Sequence, residues 1–178
     1  MESRYIVDEI GAIVTLVSGV MSTRVAPFSC YYQHGNPLEI VDNLKAMVSS
    51  STHEKRRFPM VALLQDFDED INAQGKRVVD LNLIIANITD KTYTAAQRYE
   101  YSFKPYLYPI YNEFLNQLSK SGYFVIADAS RIQHKKIDRV FWGRQELYGA
   151  INPFTDAIDA IEIQDLQLVL TEKINCYE

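Results

Sequence analysis

The densest group of side chains that could do chemistry is acidic, and comprises Asp66, Asp68, Glu69 and Asp70. The alternate spacing of Asp66, Asp68 and Asp70 imitates the first three ligands of a calcium-binding loop. Such a loop also needs glycine at its sixth position and a bidentate glutamate at its twelfth, where this chain has Ile71 and Arg77. We therefore expect a hydrated hairpin tip, with weak metal binding as the alternative.

A second interpretation of the same carboxylates is a nuclease that depends on a metal ion. Asp66 and Asp68, together with Asp80 and a nearby lysine, would have to converge on the cation, because metal-assisted phosphodiester hydrolysis requires this. Asp66 and Asp80 could face each other across a hairpin. This interpretation stays open as an alternative.

The remaining candidates for catalysis lack the spacing that catalysis requires. His34, His53 and His134 are far apart in the chain, and Cys30 and His34 are separated by a strand and a turn. The chain has no nucleophile elbow, phosphate-binding loop, dinucleotide fingerprint or Cys-x-x-Cys pair. We predict no catalytic residue, no metal site, no cofactor and no enzymatic activity.

Composition is typical of one ordinary globular domain that spans residues 1–178. Apolar residues make up 47% of the chain, which excludes general disorder. The net charge of −5 disfavours a role in coating nucleic acid. The longest uncharged stretch, from Ile10 to Thr23, is shorter than the roughly 20 residues of a membrane span. We expect a buried helix there, and no membrane partner.

The elements that must position these side chains follow from apolar spacing. Residues 2–22 have the three- and four-residue spacing of a helix, and aromatic residues at 28–33 indicate a strand. Asn36 is predicted to cap a second helix. A strand that begins near Met60 and another from Arg77 to Ile88 are expected to pair as an antiparallel hairpin.

The segment from Thr94 to Ser121 carries apolar residues all the way round a helix. Thr94 and Gln97 form a capping box, and Pro105 is expected to break the helix before a second one begins at Tyr106. Because a helix that is apolar on both sides must be covered on both sides, we expect one cover from the sheet and the other from a neighbouring subunit.

The last third of the chain is predicted to form mainly strands. Tyr123 to Ala127 and Ser130 to Lys136 are predicted to pair with each other, and Ile158 to Ile174 to form a long strand with a β-bulge near Gln164-Asp165. The predicted fold is α+β, with helices packed on a mostly antiparallel sheet.

Aromatic and basic residues are the candidates for contact with partners. Trp142, with its neighbours Phe141 and Arg144, has the composition of an interface anchor or of a loop folded on its own core. Five tyrosines between Tyr99 and Tyr111 exceed what one core can satisfy. The predicted interface residues are Tyr99, Phe103, Tyr106, Tyr108, Tyr111, Phe141, Trp142 and Arg144. Two basic segments, 53–57 and 131–139, are expected to be hydrated surface, with an acidic partner or nucleic acid as alternatives.

Several segments resemble proteins encoded in the structural gene blocks of Bacteroidetes phages, crAss-like phages among them. The resemblance covers about residues 35–170. It is carried by FPMVALLQDF at 58–67, LNLIIA at 81–86, Arg98-Tyr99, FKPYLYPIY at 103–111, WGR at 142–144 and IDAIEI at 158–163.

Such proteins are similar to head–tail neck components: ring, tail-completion or tail-terminator proteins. The resemblance implies an α+β subunit in a closed ring of six or twelve copies around the DNA channel, between portal, neck and tail proteins. It implies a place in the virion after synthesis in the host cytoplasm, and DNA passing without sequence-specific binding. It carries over no catalytic residue. The alternatives are the metal-dependent nuclease and an assembly adaptor or chaperone.

Overall fold

The computed structural model describes residues 5–25, 28–48, 57–128, 132–138 and 157–171. The helices are α1 (Ile6–Arg24), α2 (Pro37–Val48), α3 (Ala95–Arg98), a π-helix (Tyr99–Leu107) and α4 (Tyr108–Lys120). The strands are β1 (Tyr31–Gly35), β2 (Met60–Ile71), β3 (Arg77–Thr89), β4 (Phe124–Ile126), β5 (Gln133–Ile137) and β6 (Ala157–Leu170).

The six strands form one sheet in the order β1-β2-β3-β6-β4, with β5 also paired to β6. β1 and β2 are parallel and are joined through α2, whereas every other pair is antiparallel. The predicted α+β class, with helices on a mostly antiparallel sheet, is therefore confirmed. The hairpin of β2 and β3 is confirmed as well.

The bulge predicted in the last strand is present. Leu81 pairs with Leu166 and Leu83 with Ile163, so one residue of β3 faces two residues of β6. Asp165, the second of these two, has φ of 51° and donates its backbone N–H to the side-chain oxygen of Asn82 at 3.1 Å. The extra residue keeps Leu166 and Leu168 of β6 on the same face as Ile161 and Ile163.

The two faces of the sheet have different covers. The larger core lies under α1, the π-helix and α4, and includes Val61, Leu83 and Ile163 from alternate positions of three strands. The smaller core lies under α2, where Ile40, Leu44 and their neighbours meet strand residues near the start of β2. Asn36 caps α2 as predicted, because its side-chain oxygen accepts the backbone N–H groups of residues 38 and 39.

The predicted break at Pro105 takes the form of a wider helix. Pro105 lies inside the π-helix, and the backbone N–H of Tyr108 reaches the carbonyl of Phe103, five residues back. The chain therefore passes Pro105, and Pro109 in the first turn of α4, without leaving the helical path. The capping box of Thr94 and Gln97, which starts this segment, is present.

One expectation about α4 is wrong. The stripe that contains Leu107 and Leu118 does not need a second subunit, since α1 of the same chain packs on α4. Phe103, Ile110 and Phe114 on the other stripe have no exposed surface either. The sequence pattern shows that both sides are covered, but it does not show which part of the chain provides each cover.

Two local assignments also need correction. β4 and β5 do not pair with each other, because each pairs with β6, on either side of the Asp165 bulge. The acidic residues from Asp66 to Asp70 belong to β2 and not to the hairpin tip, which is formed by residues 72–76. The apolar spacing predicted these strands correctly. It did not show that β6 is the partner of β4 and β5, or that β2 continues to Ile71.

α1 is the only described helix that is long and apolar enough to cross a membrane, and core helices of soluble proteins meet the same criterion. One face of it, which contains Ile10, Val14 and Val17, is buried in the larger core. This agrees with the expectation of a buried helix. At its end, Arg24 forms an ion pair of 3.3 Å with the buried carboxylate of Glu113 on α4.

Glu113 makes stability depend on pH. The hydrogen bond from Gln117, with further contributions from Asn116 and the Arg24 and Lys120 charges, outweighs burial and lowers the pKa of Glu113 below its ordinary value of 4.5. A carboxylate whose pKa is lowered by folding stabilises the protein above its unfolded pKa, and this stability is lost as pH falls through the folded pKa. We predict that Glu113→Gln lowers the free energy of unfolding at pH 7 by about 1–3 kcal/mol.

The comparison is urea unfolding of both proteins at pH 7 and at pH 3. The deficit of Glu113→Gln should be smaller at pH 3 than at pH 7, because the stability that comes from a lowered carboxylate pKa is lost as the pH falls. Glu100→Gln is the control, since Glu100 forms an exposed ion pair with Lys104 and should change stability by less than about 1 kcal/mol. An equal deficit at both pH values would contradict the role given to this carboxylate.

Candidate functional site

A half-open groove of about 840 Å³ lies where β3 ends and β2 begins. Its volume is within the range of about 300–1,000 Å³ that is typical of ligand sites. The floor includes Asn87 and Thr89 of β3, and the end of α1 and residues 28–29 form one side. Aromatic side chains dominate its walls: Phe28, Phe58, Tyr93, Tyr101 and Tyr106.

Arg98 fixes the segment that forms one wall of the groove. Its guanidinium donates to the carboxylate of Asp159 at 2.8 Å, to the carbonyl of Tyr93 at 3.1 Å and to the carbonyl of Asp90 at 3.1 Å. Both members of the ion pair are buried. The turn after β3, the start of the helical segment and β6 are therefore joined at one side chain. Such a pair stabilises a defined arrangement only when its hydrogen bonds are complete.

The π-helix brings three groove residues to the same side. Tyr101, Ser102 and Tyr106 all line the groove, and the ring of Tyr101 lies 5.4 Å from the ring of Tyr93 across its mouth. The helix widens at this point because Pro105 has no N–H to donate to an ordinary helical hydrogen bond. π-Helical turns are rare and are often found at functional sites.

Two hydroxyl groups in the lining are buried without a hydrogen-bond partner in the described part of the chain. They are Oγ of Ser102, a residue with only 1% of its surface exposed, and Oγ1 of Thr89. Because most buried polar atoms in proteins are hydrogen-bonded, such a pair indicates either a bound water or a polar ligand atom. Each hydroxyl can donate one hydrogen bond and accept others.

Asp90 is the one charged residue among the described lining residues. Its carboxylate accepts hydrogen bonds from the Thr92 hydroxyl at 2.7 Å and from the Thr92 backbone N–H at 2.8 Å. These bonds, with a smaller contribution from the Arg98 charge, lower the pKa of Asp90. The groove thus combines aromatic rings, hydroxyls and one negative charge, a combination that suits a cationic or neutral polar group.

The structure separates the predicted interface residues into three groups. Tyr99 is exposed, at 44%, and Tyr106 and Tyr108 are half-buried. Phe103 and Tyr111 lie in the core, so they have little or no surface to offer a partner. Phe141, Trp142 and Arg144 lie outside the described residues.

The side of the π-helix away from the groove faces β5. The ammonium group of Lys136 lies 4.3 Å from the centre of the Phe103 ring and 6.0 Å from that of Tyr99. The Tyr111 hydroxyl and Nδ1 of His134 are 3.2 Å apart. Burial raises the pKa of Tyr111, which keeps this hydroxyl protonated at neutral pH. These contacts attach β5 to the helical layer.

The groups considered for chemistry do not converge. Among the described residues no group of three histidine, cysteine, aspartate or glutamate side chains could hold a metal ion. Asp68, and not Asp66, is paired with Asp80, whose carboxylate accepts a hydrogen bond from Gln167 at 3.0 Å. Burial raises the pKa of the Cys30 thiol to about 12, so it is a poor nucleophile at neutral pH.

The sequence predicted Tyr106 as an interface residue and included Tyr101 only in the count of excess tyrosines, and it did not predict the groove between these residues and β3. The groove depends on Arg98, whose partner Asp159 is distant in sequence, and on the approach of residues 28–29. Residues close in sequence indicate neither of these two contacts. A charged residue inside an apolar segment, as Asp159 is, was the one available hint, because such residues are buried only when paired.

The Arg98–Asp159 pair can be tested by a double-mutant cycle. We predict that Arg98→Met lowers the free energy of unfolding by about 3–5 kcal/mol, since it removes the Arg98 cation from the buried carboxylate of Asp159. Arg98→Met combined with Asp159→Asn should cost clearly less than the sum of the two single changes. Lys104→Met, which removes an exposed ion pair, is the control and should cost less than about 1 kcal/mol. Additivity within about 0.5 kcal/mol would contradict the coupling.

The description of the fold and of the groove comes from the structure of this chain alone. The groove is a concave, aromatic-walled site at one end of the β2–β3 hairpin, held by the Arg98 hydrogen bonds. No protein-family model, no curated protein and no solved structure matches this chain.

Proposed function

We propose that this protein is a structural subunit of a closed ring in the head–tail neck of a bacteriophage, around the channel through which DNA passes. The observation that carries the proposal is the aromatic surface at one end of the subunit, where exposed Tyr101 borders the groove. Aromatic residues are enriched at protein interfaces, and concave, aromatic-lined sites bind partners. The resemblance of six sequence segments to phage structural proteins supports the same assignment.

The position of this surface suits a ring. The groove is at one end of the sheet, so a neighbour that fills it approaches from that end and leaves the opposite end for the next contact. Contacts between two different surfaces generate rings when the rotation between copies closes. A symmetric pair of grooves would stop at a dimer.

The overall charge is consistent with a channel that DNA must pass. A net charge of −5 disfavours strong binding of phosphates, which a mainly basic wall would hold. In the proposal, the chain is made in the host cytoplasm and joins portal, neck or tail proteins in the virion. The groove then acts as a contact site between proteins and not as an active site.

The proposal is tested at Tyr101, an exposed residue at the groove whose change leaves the core intact. We predict that Tyr101→Asp weakens assembly at least about tenfold, since a charge is placed on a surface that becomes dry in the ring. Native mass spectrometry and analytical ultracentrifugation measure the distribution of oligomers. Circular dichroism establishes that each variant is folded.

Leu38→Asp is the matched control, because Leu38 is as exposed as Tyr101 but lies on α2, on the other side of the sheet. It should assemble like the wild type. Equal assembly of Tyr101→Asp and Leu38→Asp would place the contact elsewhere, and would remove the observation on which the proposal rests.

The alternative of a metal-dependent nuclease is favoured only by the cross-strand position of Asp68 opposite Asp80. Two carboxylates are fewer than a catalytic metal site normally uses. We expect Mg²⁺ or Mn²⁺ to produce no change in melting temperature and no DNA cleavage beyond what Asp80→Asn shows under the same conditions. Cleavage that disappears in Asp80→Asn would support the nuclease and contradict the ring assignment.

A further inference from the structure

The groove and the tip of the β2–β3 hairpin lie at opposite ends of the same two strands. β3 starts at Arg77, beside the tip, and ends at Thr89, inside the groove. Its 13 residues span roughly 40 Å at the usual rise of a strand. A contact between the tip of one copy and the groove of another would therefore place successive copies along this axis.

The tip is ordered and positively charged. The side-chain oxygen of Asn72 accepts the backbone N–H groups of Gln74 at 3.0 Å and of Lys76 at 2.9 Å, and Gly75 has the positive φ of 75° that the turn needs. Lys76 and Arg77 are both exposed, and residues 71–77 contain no acidic side chain. Ile71, which pairs with Arg77, is 72% exposed. The tip thus presents two cations and an apolar side chain.

The groove has the complementary chemistry. Its described lining contains one charge, the carboxylate of Asp90, and five aromatic rings. Aromatic rings attract cations, and the planar guanidinium of arginine stacks on them while it donates up to five hydrogen bonds.

We infer that the tip of the hairpin in one copy of this chain occupies the groove of the next copy, with the Arg77 guanidinium and Lys76 ammonium directed to Asp90 and the aromatic walls. This inference rests on the proposed ring, and it names the two surfaces that meet. The charge complementarity between tip and groove favours a second copy as the occupant. The acidic residues of β2 begin at Asp70, next to Ile71, so they lie behind the tip.

The test is a disulfide between copies. Ala73→Cys places a thiol on the exposed tip, and Ile88→Cys places one in the groove, where Ile88 is 43% exposed. The two positions are near opposite ends of β3, far beyond the roughly 7 Å that a disulfide can span, so a bond between them must join two chains. Both changes are made with Cys176→Ser. Cys30 is buried and stays.

Mild oxidation of the double variant should give a ladder of dimers, trimers and higher species on non-reducing gels. Each single-cysteine variant should stop at a dimer. A matched pair with Leu38→Cys in place of Ile88→Cys should give no ladder above the dimer, because Leu38 is exposed but far from the groove. Absence of a ladder from the double variant at the highest attainable protein concentration would overturn the inference.

The charge contribution is measured in the same cross-linking background. Lys76→Glu with Arg77→Glu should reduce the rate of ladder formation at least about tenfold, as should Asp90→Asn. Lys45→Glu is the control, since the Lys45 side chain is exposed on α2, and it should leave the rate within about twofold. A ladder that is insensitive to the first two changes would mean that the contact is not the one inferred.

A mixing experiment separates this inference from the proposed function. Tip-altered and groove-altered chains, each unable to self-assemble, should form a dimer when mixed, because one good tip and one good groove remain. If rings form but neither the ladder nor the mixed dimer does, the ring stands and the hairpin contact is wrong. If neither rings nor any ladder form, both the ring and the hairpin contact are contradicted.

Discussion

The guanidinium of Arg98 is the interaction on which the rest of this arrangement depends. It is buried, and it joins a carboxylate of β6 to two carbonyls of the turn after β3. The turn and the helical segment that follows are therefore held against the sheet at a fixed distance. The groove is the space left between this segment and the end of α1. Without the Arg98 bonds, neither the aromatic walls nor the exposed tyrosines would have a defined position.

The π-helix that follows Arg98 forms one wall of the groove. A regular α-helix across Pro105 would lose a hydrogen bond and clash with the preceding turn. The wider helix avoids both costs, and it places Tyr101, Ser102 and Tyr106 along one side while Phe103 and Leu107 stay in the core. The same segment thus contributes to the core with one side and to the wall of the groove with the other. This division explains how a chain that covers its own apolar helix can still carry exposed aromatic residues.

Local rules predicted much of the fold. The Asn36 cap, the Thr94–Gln97 capping box and the Asp165 bulge each depend on residues close in sequence, and all three are present. The errors involve partners that are distant in sequence: β6 in place of a β4–β5 hairpin, and α1 in place of a second subunit over α4. Apolar spacing shows that a face is buried, but many parts of the chain can satisfy it. The groove was missed for the same reason, since Arg98 and Asp159 are brought together only by the finished sheet.

We propose that copies of this chain assemble through the surface around the groove and form a ring in the phage neck. Electron cryomicroscopy of the intact particle tests it most directly, because the portal and tail that organise such a ring are then in place. The account predicts a closed ring of this chain between head and tail, with the groove of each copy filled by its neighbour. A particle without the chain, or a neck in which the groove and Tyr101 face solvent, would contradict it.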